Sequence, residues 1–172
     1  MVKKLLFPLL MAFLATRAPA QPQEKEATLK AVFIYNFTKY IEWDSSSSEN
    51  SFIIGIIGSS RIVAPLAEIA KTNTVKNKKI IVRTYTRPEE IGNCDILFIP
   101  GKLPYPLHNI LDKTGKGVLT ISEEEGYAKE GTAFNFIIRN DKLKFEANLR
   151  AINSAGLKAG SQLLKLANIV EY

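Results

Sequence analysis

Two hydrophobic rhythms alternate along the chain. Continuous apolar runs bounded by turn residues are separated by stretches in which apolar side chains recur every three or four positions. The runs predict strands buried on both faces, and the spaced stretches predict helices with one apolar face. "FIIGIIG" (Phe52 to Gly58), "KIIVRTY" (Lys79 to Tyr85), "DILFIP" (Asp95 to Pro100) and "GVLTIS" (Gly117 to Ser122) read as strands. After the first of them, "SSRIVAPLAEIAKT" predicts a helix with Ser59 or Ser60 as N-cap and with Ile62, Leu66, Ile69 and Ala70 facing inward. Pro65 requires that helix to begin close before it. "RPEEI" reads as a short helical turn and "YPLHNILDKT" as a short helix. Strands separated by helices imply right-handed βαβ crossovers. The expected fold is α/β, a three-layer sandwich around a mostly parallel, Rossmann-like sheet.

The pattern changes toward both ends. Thr132 to Arg139 and Lys142 to Ala147 predict two strands joined at Asn140-Asp141, which tolerates positive φ, so an antiparallel hairpin follows. "LRAINSAGLKAGSQLLKLANIVEY" predicts two terminal helices, the first stopped by Gly156 and the second with Leu163, Leu164, Ala167 and Val170 facing the core. Near the other end, "AVFIYNFTKYIEWD" (Ala31 to Asp44) predicts a helix. Counted from Leu29, its apolar face holds Val32, Phe33, Asn36, Phe37, Tyr40 and Ile41, with Asn36 the polar exception. A buried unpaired amide costs about 1–3 kcal/mol, so Asn36 is expected to bond backbone of a neighbouring element as a structural pin. Tyr35 and Lys39 fall off that face and are candidates for contacting another chain.

The first residues, "MVKKLLFPLLMAFLATRAPAQ", have a basic start, an apolar run and small residues at Ala18-Pro19-Ala20. These are the parts of a secretory signal, with cleavage expected after Ala20, and the run is too short to span a bilayer. Residues 21–172 are then one exported α/β domain, expected in the periplasm, with no insertion into the membrane after cleavage. Losing Lys3, Lys4 and Arg17 lowers the net charge from +6 to +3, a mild balance that argues against nucleic acid as a partner. The lysines of "KTNTVKNKK" (Lys71 to Lys79) read as a solvated loop. Cys94 is the only cysteine, so no internal disulfide forms, and its place in an apolar run predicts a small buried thiol.

Chemistry is expected at the carboxyl ends of the parallel strands. "GSSR" (Gly58 to Arg61), "PGKLP" (Pro100 to Pro104) and "SEEEG" (Ser122 to Gly126) build that edge. Ser59, Ser60, Arg61 and Lys102 form a candidate ligand crevice, since hydroxyls and an Arg at a helix start can hold an anion. "GIIGSSR" nevertheless matches neither the dinucleotide fingerprint nor the phosphate loop, and N-capping accounts for the same serines. Catalytic candidates are poor. His108 is the sole histidine, no Ser occupies a G-x-S-x-G elbow, and zinc-ligand spacings are missing. Glu123, Glu124 and Glu125 read as a solvated helix start. No catalytic residue, metal or cofactor is assigned.

Two longer stretches carry a resemblance. "LKAVFIYNFTKYIEW" and "LKFEANLRAINSAGLKAGSQLLKLANIV", with "CDILFI" and "GVLTIS" between them, resemble the YfiR family of small periplasmic proteins from about Ala27 to Val170. The resemblance implies a non-enzymatic regulator and a homodimer. It also implies binding to the periplasmic sensor region of an inner-membrane signalling protein, with repression of a diguanylate cyclase as the characterised mode. Adaptation to a histidine kinase is an alternative, as is a soluble receptor for a small ligand in the strand-end crevice. Disulfides help to stabilise the characterised type, which this chain cannot reproduce internally. Gly160 stands where that family usually has Ser.

Overall fold

A computed structural model describes residues 21–43 and 50–170. The expected signal segment and the Asp44–Asn50 loop, apart from Asn50, lie outside the described residues. The chain runs α1 (Gln21–Phe37), β1 (Ile41–Glu42), β2 (Ser51–Ile57), α2 (Val63–Thr72), β3 (Thr74–Val75) and β4 (Lys78–Tyr85). A 3-10 turn (Pro88–Glu90), β5 (Ile96–Ile99), α3 (Leu107–Leu111), β6 (Leu119–Ser122), β7 (Phe134–Arg139) and β8 (Lys142–Asn148) follow. It ends in α4 (Leu149–Ser154), β9 (Lys158–Ala159), α5 (Ser161–Leu164) and β10 (Asn168–Val170).

The four apolar runs are the parallel centre of an eight-stranded sheet ordered β10-β8-β7-β6-β5-β2-β4-β3. Side chains alternate across it because successive residues of a strand point to opposite faces. Ile54, Ile56, Ile96, Phe98, Leu119 and Ile121 join the larger core with α1 and α2, where Ile34, Phe37, Ile62 and Leu66 meet them. Ile57, Leu97 and Ile99 turn the other way, onto Leu107 and Ile110 of α3. Three layers result, as expected. The hairpin also forms, with Asn140 and Asp141 at φ 51° and 56° and with β7 paired antiparallel to β8.

Farther along the sheet, the face opposite α1 is polar. The Ser122 hydroxyl meets Thr132 Oγ1 at 2.7 Å and Asn135 Oδ1 at 2.7 Å, and Asn135 Nδ2 donates to Glu146 Oε2 at 3.2 Å. Ser122, Thr132 and Asn135 are fully buried, and these bonds offset the desolvation of their polar groups.

Several expected elements differ. The first helix stops at Phe37, where Thr38, Lys39 and Tyr40 donate their N–H groups three residues back and tighten the last turn. Ile41 and Glu42 then pair antiparallel with Ala159 and Lys158. The buried stripe of α1 is Ala27, Ala31, Ile34 and Phe37, a face rotated from the one that sequence spacing predicts, and Leu29 and Val32 are exposed. α2 has Ile62 at its cap position, so neither Ser59 nor Ser60 is the N-cap. The lysine-rich segment is the end of α2 and a tight hairpin of β3 and β4, turned at Lys76 and Asn77 with positive φ. No helix begins at Glu123 to Glu125: Glu123 is irregular, Glu124 lies in a bend and Glu125 opens a turn. The second terminal helix is the single turn α5; the chain then extends as β10, parallel to β8.

Candidate functional site

β2 has β4 on one side and β5 on the other, so the winding of the sheet reverses beside it. Such a switch point parts the loops at the carboxyl edge and opens a crevice. Here the β2–α2 loop separates from Pro100 and Gly101 after β5, leaving a cleft of about 360 Å³. Gly58 starts that loop at φ 75°, its N–H bonded to the Tyr85 carbonyl at 2.7 Å; a Cβ there would lie 2.7 Å from Leu103. Ser59, Ser60 and Arg61 line the cleft. Lys102 does not: it is exposed at φ 57° and lies outside the lining. Ser60 Oγ accepts the Ile62 N–H at a long 3.4 Å, and the Arg61 side chain is exposed.

The cleft is roofed by α1, which sequence reasoning did not bring here. Glu26 and Lys30 project into it, and Glu123 closes the side after β6. Lys30 Nζ lies 2.5 Å from Glu26 Oε1 and 2.6 Å from Glu123 Oε2, with a side chain only 12% exposed. Burial acts to lower its pKa, but hydrogen bonds and charge attraction from Glu123 and Glu26 outweigh that and hold it above the ordinary lysine value. The same three residues border a second cleft, of about 320 Å³, which continues along Phe136 to Arg139 and reaches Glu146. Lys30 and its carboxylates are thus a partition between two clefts. Glu26 and Lys30 carry a visible i,i+4 spacing; Glu123 is 93 residues away and gives no such signal.

Asn36 lies at the other end of α1, outside the buried stripe and half-exposed. Among the described residues its carboxamide bonds no neighbouring element. Instead Oδ1 accepts from Lys39 Nζ at 2.9 Å, and that ammonium sits 4.7 Å from the centroid of the Tyr35 ring. Tyr35 leans on the core while Lys39 is exposed. Residues assigned to separate roles, one structural and two for contact, form one surface cluster.

The remaining candidates for chemistry are dispersed. His108 is exposed on α3. Burial, reinforced by the negative charge of Asp95, pushes the Cys94 thiol up to about 12, which suppresses the thiolate a nucleophile needs. Among the described residues no group of three His, Cys, Asp or Glu side chains is placed to hold a metal ion. No helix among them is long and apolar enough to cross a membrane.

A family model described as YfiR/HmsC-like matches residues 27–168. The chain belongs to the YfiR/HmsC-like family. The matched span opens inside α1 and ends on the first residue of β10. It takes in the Tyr35–Asn36–Lys39 cluster, the Ser59–Arg61 loop, Lys30 and Glu123. The YfiR resemblance of the two end motifs therefore extends through the α/β centre. Only Glu26 of the Lys30 partition falls before it.

Proposed function

We propose that this chain is a periplasmic, non-enzymatic regulator, residues 21–172 acting as one exported domain after cleavage of the leader. It binds the periplasmic region of an inner-membrane signalling protein, as a homodimer, and represses a diguanylate cyclase. The observation that carries this reading is membership of the YfiR/HmsC-like family across residues 27–168. The proposed contact is the carboxyl end of α1, where Lys39 presents an exposed cation held over the Tyr35 ring and beside Asn36. An aromatic ring and a cation placed together supply contact area and charge at little entropic cost. Photo-crosslinkers at positions 35 and 39 should capture a membrane protein with a periplasmic domain, whereas one at Lys76, on the β3–β4 turn, should not. Equal capture from all three positions, or from none, would count against this contact.

A second reading has its own observation. The switch-point cleft is lined by Ser59, Ser60 and Arg61 and roofed by α1, the same helix that carries the proposed contact. A small ligand seated there would bear on α1 and tune partner binding. Thermal-shift screening of anionic metabolites tests it: a ligand whose stabilisation is lost on Arg61→Glu supports a receptor role, and no stabilising ligand leaves regulation to protein contacts alone.

A further inference from the structure

The opposite, amino-terminal edge of the sheet holds a larger cleft, of about 440 Å³. It lies between Trp43, the Gly92–Asp95 segment that leads into β5, and the Lys113–Val118 turn after α3. Its floor is fixed. The Trp43 ring stands edge-on to Phe52 at 5.2 Å, and its indole N–H donates to the Asp95 carbonyl at 3.3 Å. The Asp95 carboxylate in turn accepts the Ile53 N–H at 2.7 Å, which occupies the acid in this wall.

The rim is cationic. Lys113 and Lys116 are exposed and neither forms a salt bridge among the described residues. The backbone N–H groups of Asn93, Gly115 and Lys116 donate to no acceptor among those residues. The carboxyl edge differs, because its buried lysine, Lys30, is already held by two glutamates. Two ammonium groups and three amides without a partner among the described residues favour an anion, and the volume falls within the usual range for small-molecule sites.

We propose that this cleft binds a small organic anion, its carboxylate or phosphate held by Lys113 and Lys116 and its flat apolar body lying against Trp43. The site is separate from the switch-point cleft and does not depend on the regulatory reading. Trp43 is the only tryptophan of the chain, so its emission reports on the cleft directly.

The test is a fluorescence titration of the mature chain with phenyl phosphate, and with inorganic phosphate as the probe lacking an apolar body. The expected result is a saturable change with phenyl phosphate and weaker binding of inorganic phosphate. The double variant Lys113→Glu, Lys116→Glu should raise Kd about tenfold or more with an unchanged melting temperature. Arg61→Glu, at the other edge, should leave Kd unaltered. Lys113→Gln and Lys116→Gln singly should each weaken binding, which keeps the test informative if the double reversal disturbs folding. No saturable change, an equal Kd in the lysine variants, or a loss on Arg61→Glu would overturn the assignment.

Discussion

Replacing Phe37 by Ala should destabilise the protein far more than replacing its neighbour Asn36 by Leu. Phe37 is 1% exposed and ends the buried stripe of α1. Its ring lies 4.8 Å from Phe134, 4.9 Å from Phe145, and 6.0 Å from both Phe33 and Phe136. The Ala variant removes the ring that joins the helix to β7 and β8 and leaves a cavity. Such a change costs about 3–5 kcal/mol, and for a chain of this size that corresponds to a drop in Tm on the order of 10 °C. Asn36, in contrast, is half-exposed, and among the described residues its side chain bonds only the exposed Lys39. Its replacement by Leu should change stability by less than about 1 kcal/mol. Urea unfolding followed through the fluorescence of Trp43, at constant slope against denaturant, measures both. A loss below about 1.5 kcal/mol for Phe37→Ala, or an Asn36→Leu loss equal to it, would refute the assignment of the helix face.

Further outcomes follow from individual contacts. Cys94 should resist a thiol reagent at pH 8 until the chain is unfolded. Because its folded pKa is raised from 9.0 to about 12, the unfolded chain ionises first as pH rises. Stability present below pH 9 is then lost toward pH 12, by roughly 4 kcal/mol in all. Unfolding curves of Cys94→Ala should show a shallower loss across the lower part of that window. A Cβ at Gly55 would lie 2.7 Å from the Tyr85 ring and 3.3 Å from Leu97, so Gly55→Ala should cost about 1–3 kcal/mol. Combination with Tyr85→Val should be clearly less than additive in a double-mutant cycle. Lys30→Met leaves Glu26 and Glu123 facing each other without their cation and should cost about 1–3 kcal/mol near neutral pH. Glu123→Leu in the same chain should recover part of it. Since the folded pKa of Lys30 is raised, its contribution is complete below about pH 10.4 and fades as pH climbs through the folded value.

The central strands were legible because each is an apolar run long enough to be buried on both faces, and Asn140-Asp141 announced its own turn. The ends were less so. Tyr40 and Ile41 continue a helical spacing from Phe37, yet the partner that draws Ile41 into a strand is Ala159, far along the chain. β10 is a three-residue strand whose Val170 also satisfies a helical period, and only its pairing with β8 settles the matter. The face of α1 was misjudged because Leu29 and Val32 are apolar but exposed, while the small Ala27 and Ala31 are buried. At the candidate sites, the Ser59–Arg61 loop was visible from its position after a buried strand. The Lys30–Glu123 bridge joins groups whose meeting depends on how α1 crosses the sheet, and local pattern carries no trace of that.

The regulatory account rests most directly on cyclic di-GMP. Its cellular level, measured in the native host with the gene deleted and again with it restored, should rise on deletion. The intact chain should return it to the starting level, and a chain carrying Tyr35→Ala and Lys39→Glu should fail to do so while retaining its fold. A level unchanged by deletion would contradict repression of a diguanylate cyclase, and full restoration by the double variant would contradict the contact at the end of α1.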